Sequence, residues 1–120
     1  MTAASPRRVL VVEDEYLLAD DLTKVLDREG AIVVGPVATE ADALVLLEGG
    51  EIDCAILDIN LHGRMVYPLA RALRRRDVPF LFVTGYDSAE AEEDFGDVQL
   101  LRKPVTTEAV LEGIGRLTRR

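Results

Sequence analysis

Short apolar runs alternate with amphipathic stretches along the chain. Val9–Val12, Ala31–Val37, Cys54–Leu57, Pro79–Val83 and Val98–Leu101 are the apolar runs, each of strand length. Runs with little polar alternation suit strands buried on both faces of a parallel sheet. Between them, apolar residues recur at three- and four-residue spacing, the mark of amphipathic helices. Leu18, Leu22, Val25 and Leu26 form the first such face, closed by Gly30. Thr39 opens the second, with Asp42 as a capping-box partner, Ala41, Ala43, Leu44 and Leu47 turned inward, and Gly49-Gly50 at its end. Pro68 fits the first turn of a third helix covered by Leu69, Ala70, Ala72 and Leu73. A fourth, over Ser88–Asp94, has good helix formers, but Phe95 is its only large apolar residue, so it should be weakly held and free to move. The last runs from Thr106 to about Arg119 with Val110, Ile114 and Leu117 inward. Its Gly113 and Gly115 each cost about 0.5–1 kcal/mol of helix stability.

Five strands alternating with five helices predict an α/β fold, a parallel sheet covered on both faces, because right-handed crossovers require it. Pro36 cannot donate to a ladder, which puts the second strand at an edge. The length of 120 residues predicts one domain over residues 1–120, with residues 1–7 frayed.

Composition narrows the function. Hydrophobic content of 48% with 30% charged residues reads as soluble and globular, and a net charge of −8 argues against nucleic acid as partner. The single cysteine, Cys54, rules out a disulfide framework and suits a reducing cytoplasm. No membrane or secretory segment is expected, since Val9–Val12 is far too short to span a bilayer. The Arg71, Arg74, Arg75 and Arg76 cluster complements a helix dipole and reads as a solvated face. His62, the only histidine, reads as a solvated or hydrogen-bonded loop side chain.

The candidate chemistry sits at strand ends. Asp58 terminates the third run, and ligands of open α/β sheets bind at the carboxyl ends of strands. Glu13, Asp14 and Glu15 follow the first run, and three acids are more than a helix start requires. Thr84 ends the fourth run and Lys103 the fifth. Carboxylates converging without a cation would raise one another's pKa, and Mg²⁺ removes that penalty while leaving coordination positions for a phosphate oxygen. Asp58 then has an oxygen free as a nucleophile for an acyl-phosphate. Positive charge from Mg²⁺ and Lys103 and a hydrogen bond from Thr84 match what phosphoryl transfer needs.

Val-Val-Glu-Asp-Glu at the first strand, Leu-Asp-Ile-Asn-Leu at the third, Val-Thr-Gly at the fourth and Lys-Pro at the fifth resemble bacterial two-component response-regulator receiver domains, over residues 8–118. The resemblance implies a flavodoxin-like (βα)5 doubly wound sheet of order 2-1-3-4-5. It casts Asp58 as phosphoacceptor from a sensor histidine kinase or histidine phosphotransfer protein, in a protein that assists its own phosphorylation and dephosphorylation. Glu13, Asp14, Asp58 and the Asn60 main-chain carbonyl would hold the metal, Thr84 and Lys103 the phosphoryl group, and the Lys103–Pro104 bond would be cis. Leu100 stands where receivers usually carry an aromatic switch, which makes Tyr86 the candidate replacement; His62 stands where they often carry proline. Pro79–Tyr86 resembles the Pro-Phe-x-Phe-Ala-Thr-Gly-Tyr signature of stand-alone regulators in stress-response phosphorelays, differing at Val83. Output would then pass through residues 84–102 to a downstream protein, and the resemblance leaves room for a homodimer.

Three alternatives share parts of this pattern. A Mg²⁺-dependent phosphohydrolase with an aspartate nucleophile commonly wants an acid two residues on, where Asn60 stands. A phosphorylation-independent adaptor would not need the intact acid pair, Asp58, Thr84 and Lys103. An FMN carrier of the same fold class would need a phosphate-cradling loop after Val9–Val12, and that loop is missing.

Overall fold

The structure, a computed structural model, describes residues 7–85 and 93–118. The chain runs β1 (Arg8–Val12), α1 (Tyr16–Arg28), β2 (Ile32–Val37), α2 (Glu40–Gly49) and β3 (Cys54–Asp58). A small hairpin follows, β4 (Asn60–Leu61) and β5 (Arg64–Met65), then α3 (Tyr67–Arg75) and β6 (Phe80–Thr84). After a 3-10 turn at Glu93–Phe95 come β7 (Leu100–Arg102) and α4 (Thr107–Thr118).

β2-β1-β3-β6-β7 form one parallel sheet, which is the expected order 2-1-3-4-5 once the hairpin is set aside. β1 pairs with β3 from Val9↔Cys54 to Val12↔Leu57, and β3 with β6 from Ala55↔Phe80 to Asp58↔Val83. β2 is an edge strand, as Pro36 required. The Gly35–Pro36 and Lys103–Pro104 peptide bonds are cis.

Alternate residues of the central strands feed two cores. Leu10, Val12, Ala55, Leu57, Phe80 and Phe82 pack toward α2 and α3, against Leu47, Leu69 and Leu73. On the other face Val9, Val11, Ile56, Leu81 and Val83 meet Leu22 and Leu26 of α1 and Val110 and Ile114 of α4. Each large apolar side chain so buried contributes roughly 1.5–3 kcal/mol, which is what holds the strand ends in register. Thr39 Oγ1 accepts from the Asp42 N–H at 3.1 Å, and Thr106 Oγ1 from the Ala109 N–H at 3.1 Å, so both helix starts expected from sequence are capped. Among the described residues no helix is long and apolar enough to cross a membrane.

Four local features differ from expectation, the first being that Ala41, expected on the inner face of α2, is exposed. Where the sequence reads as a loop, β4 and β5 pair antiparallel around a two-residue turn, His62 at φ +51 and Gly63 at φ +84. Positive φ at both positions matches the twist of a tight hairpin, and the buried Leu61 and Val66 on either side pin it to the core. Tyr86 and most of the helix expected over Ser88–Asp94 lie outside the described residues; the part that is described, Glu93–Phe95, is a 3-10 turn. Finally, three of the arginines read as a solvated face have specific contacts, the Arg76 guanidinium donating to the Leu47 carbonyl at 3.1 Å. The Arg74 guanidinium lies 4.7 Å over the Phe95 ring and donates to the Asp94 carbonyl (2.7 Å) and to Asp97 Oδ1 (2.6 Å), and that of Arg71 is 5.7 Å from the same ring. Phe95 is fully buried, so the two guanidiniums close over an aromatic edge that the sequence pattern alone left without a place.

Candidate functional site

At the carboxyl rim of the sheet the polar residues converge. Glu13 follows β1 directly; its N–H donates to the Val37 carbonyl at 2.9 Å, which turns its side chain in behind the edge strand, only 3% exposed. Asp58 is the last residue of β3, the central strand, and is 4% exposed because strands flank it on both sides. Asp14 completes the acidic group, and one oxygen from each of Glu13, Asp14 and Asp58 lies within 4.8 Å of the others.

Lys103 reaches this group from the end of β7. Its main-chain N–H donates to the Thr84 carbonyl at 2.7 Å, which fixes the start of the side chain. Its ammonium donates to Asp58 Oδ2 (3.1 Å), Glu13 Oε2 (3.0 Å) and Glu15 Oε2. The hairpin closes the other side. The Asn60 N–H donates to Asp58 Oδ1 (3.1 Å), the His62 N–H to Asp14 Oδ2 (2.9 Å) and the Gly63 N–H to Asn60 Oδ1 (2.8 Å). His62 Nδ1 stands 3.5 Å from the same Asp14 oxygen.

Two buried side-chain oxygens among the described residues have no hydrogen-bond partner, Glu13 Oε1 and Thr84 Oγ1. Leaving a buried polar group unpaired costs about 1–3 kcal/mol. The two orphans want opposite things. A carboxylate oxygen wants a cation or donor, and a hydroxyl with a free proton wants an acceptor. A hard cation beside the acids and an anion beside Thr84 would satisfy both.

The electrostatics agree. Burial pushes the Glu13 carboxyl up to about 8, and the neighbouring Asp58 charge adds to this against the Glu15 N–H and Lys103. Burial also raises Asp58, opposed by its hydrogen bonds to Glu13 and Lys103. Burial works against the Lys103 ammonium, but Glu15, Glu13 and Asp58 outweigh it and hold it above its ordinary value. The rim is thus a site where two carboxylates resist full ionisation until more positive charge arrives.

Of the residues singled out in the sequence, Glu13, Asp14, Asp58, Asn60 and Lys103 meet here, and Thr84 ends the adjoining strand, fully buried. Leu100 does not face this rim. It pairs with Phe82 and packs, half-buried, against the aromatic core. Tyr86 lies outside the described residues. Glu15 was not separated from its acidic neighbours by sequence reasoning, although three consecutive acids were the available signal. The contacts of the hairpin with Asp14 had no signal in the sequence, since they join residues 48 apart in the chain.

Residues 9–114 match the family model described as the response regulator receiver domain. The transcriptional regulatory protein PdtaR of Mycobacterium tuberculosis is 32% identical over 116 residues, a stretch that covers 93% of this chain but only 57% of PdtaR. The solution structure of SdrG from Sphingomonas melonis Fr1 superposes with a TM-score of 0.85 at 40% identity, covering 96% of this chain and 98% of SdrG. The beryllofluoride-activated conformation of SdrG matches with a TM-score of 0.78 at 41% identity, covering 98% of each chain.

Proposed function

Because the chain belongs to the response regulator receiver family, we propose that it is the phosphoacceptor of a two-component phosphorelay, with Asp58 as the residue phosphorylated. The observation that carries this is the placement of Asp58, buried between an ammonium and two further carboxylates while Glu13 Oε1 and Thr84 Oγ1 lack partners. That SdrG, similar over its whole length, has been solved in a beryllofluoride-activated conformation supports the same reading.

The donor is a phosphohistidine of a sensor histidine kinase or a histidine phosphotransfer protein. An Asp58 carboxylate oxygen attacks the phosphorus; the new P–O bond forms as the P–N bond breaks, and the departing imidazole nitrogen takes up a proton. Lys103 neutralises the equatorial oxygens from one side, and the Thr84 hydroxyl donates to another of them. Glu13, Asp14, Asp58 and the Asn60 main-chain carbonyl are the residues that would hold Mg²⁺, a role the unpartnered Glu13 Oε1 fits. When bound, the ion supplies positive charge to the phosphoryl oxygens in transfer and in hydrolysis. Asn60 puts an amide where an aspartate phosphohydrolase would want an acid, so the chain assists its own phosphorylation and dephosphorylation without turning over other substrates.

Output is by contacts with a downstream protein through residues 84–102, in the cytoplasm and in a stress-response pathway, and not by binding nucleic acid. Tyr16 and Leu17, 80% and 77% exposed at the start of α1 beside the rim, offer apolar surface to the docking donor. Incubating the protein with acetyl phosphate and Mg²⁺, then weighing it intact, tests the proposal. A single phosphoryl adduct that disappears in Asp58→Ala and on chelation is expected. An adduct that survives Asp58→Ala, or none at all, would defeat it.

A further inference from the structure

Glu15 occupies the N-cap of α1, a position where Ser, Thr, Asp or Asn usually turn a short side chain back onto the helix. Its side chain makes no such capping bond. Its main chain is already used, the N–H donating to Glu13 Oε2 at 3.0 Å and the carbonyl accepting from the Ala19 N–H at 2.9 Å. The side chain reaches away from the helix to the Lys103 ammonium instead.

An ammonium has three N–H donors, and in this site all three are taken, by Glu13, Asp58 and Glu15. A phosphoryl oxygen seated on Asp58 needs one of them. The three acceptors are not equal. The Glu13 and Asp58 side chains are 1% and 5% exposed, and water cannot replace what they would lose. The Glu15 side chain is 60% exposed and rehydrates freely when released.

We propose that Glu15 is a positioning residue: its carboxylate holds the third donor of Lys103 in the resting site, and the arriving phosphoryl group displaces it. This rests on the phosphoacceptor reading of Asp58 and adds a competitor to it. Glu15 keeps the ammonium pinned in place before transfer, and its competition for Lys103 weakens the site's hold on the phosphoryl group afterwards.

Two substitutions separate this from a simple charge effect. Glu15→Ser removes the charge and can cap α1. Glu15→Asp keeps the charge, but its shorter side chain is drawn into the cap and away from Lys103. Beryllofluoride affinity in saturating Mg²⁺ and Mg²⁺ affinity alone are measured for both by NMR titration. A partly exposed ion pair of this kind is worth about three- to fivefold in affinity. Both variants should therefore bind beryllofluoride about three- to fivefold more tightly than the natural protein, with Mg²⁺ affinity within about twofold of it. The Lys103 side-chain resonances should also move in the resting protein before any fluoride is added. A gain in Glu15→Ser alone means bulk charge and overturns the proposal, as does no gain in either. If the natural protein itself fails to bind beryllofluoride, the phosphoacceptor reading falls and this inference with it, a result distinct from the other two.

Discussion

The Phe95 ring lies nearly parallel to the Tyr67 ring, with centroids 5.5 Å apart and planes 11° apart. Phe82 meets both edge-on, at 6.0 Å from Tyr67 and 5.7 Å from Phe95. Phe82 belongs to β6, whose last residue is Thr84. The segment entering β7 is therefore fastened to the strand that carries the unpartnered hydroxyl, through aromatic contacts and not through the rim.

Phe95→Ala empties a fully buried aromatic site and should cost about 3–5 kcal/mol. Urea denaturation followed by circular dichroism measures it. A loss below about 1 kcal/mol would mean that Phe95 is not the anchor described.

Arg74 and Asp97 form an ion pair whose side chains are 39% and 77% exposed, so the pair itself adds little. The Arg74 guanidinium also covers Phe95, a contact worth about 0.5–1 kcal/mol. Asp97→Asn is expected to leave the thermal midpoint nearly unchanged, whereas Arg74→Ala lowers stability by about 1 kcal/mol. Equal losses from the two changes would assign the effect to the ion pair.

Protonation of the acidic group gives a pH dependence of definite sign. Glu13 titrates near 8 in the folded protein against an ordinary 4.5, so the folded state binds more protons than the unfolded one between those values. Stability of the metal-free protein accordingly falls as pH rises from about 4.5 to about 8; the raised Asp58 acts in the same direction. Mg²⁺ requires the ionised carboxylates, so its apparent affinity should climb across pH 6–8 with release of protons. Calorimetry in two buffers of different ionisation enthalpy detects that release. A pH-independent Mg²⁺ affinity over this window would contradict the raised Glu13.

Gly113 lies in α4, where alanine would ordinarily gain about 1 kcal/mol in helix propensity. A Cβ there would come within 2.8 Å of Leu81 Cδ2, and Leu81 is fully buried in β6. Overpacking of this kind costs about 1–3 kcal/mol, so Gly113→Ala should destabilise the protein despite the better helix former. A thermal midpoint above that of the natural chain would show that α4 can retreat from the sheet.

The architecture was legible because its signals are local. Apolar runs without alternation, interleaved with three- and four-residue periodicity, identify buried parallel strands and their crossover helices whatever lies elsewhere in the chain. Handed crossovers then oblige every strand to end at one rim, so Glu13, Asp14, Asp58, Thr84 and Lys103 could be grouped from their positions after apolar runs. Pro36 at an edge and Thr39 at a cap were readable for the same reason, since each constraint is contained within its own residue.

What the sequence by itself determined, then, is the succession of strands and helices along the chain and the kinds of groups gathered at the strand ends. Only the tertiary structure decided which groups touch. Lys103 finds Asp58 across 45 residues and Glu15 across 88, and no local pattern records that one ammonium serves three carboxylates. The same holds for Phe95, which reads as a lone apolar residue in a polar stretch until Tyr67, Phe80 and Phe82 close around it. Contacts between distant residues depend on side-chain reach and competition for the same donor, and these exist only once the strands have been brought side by side.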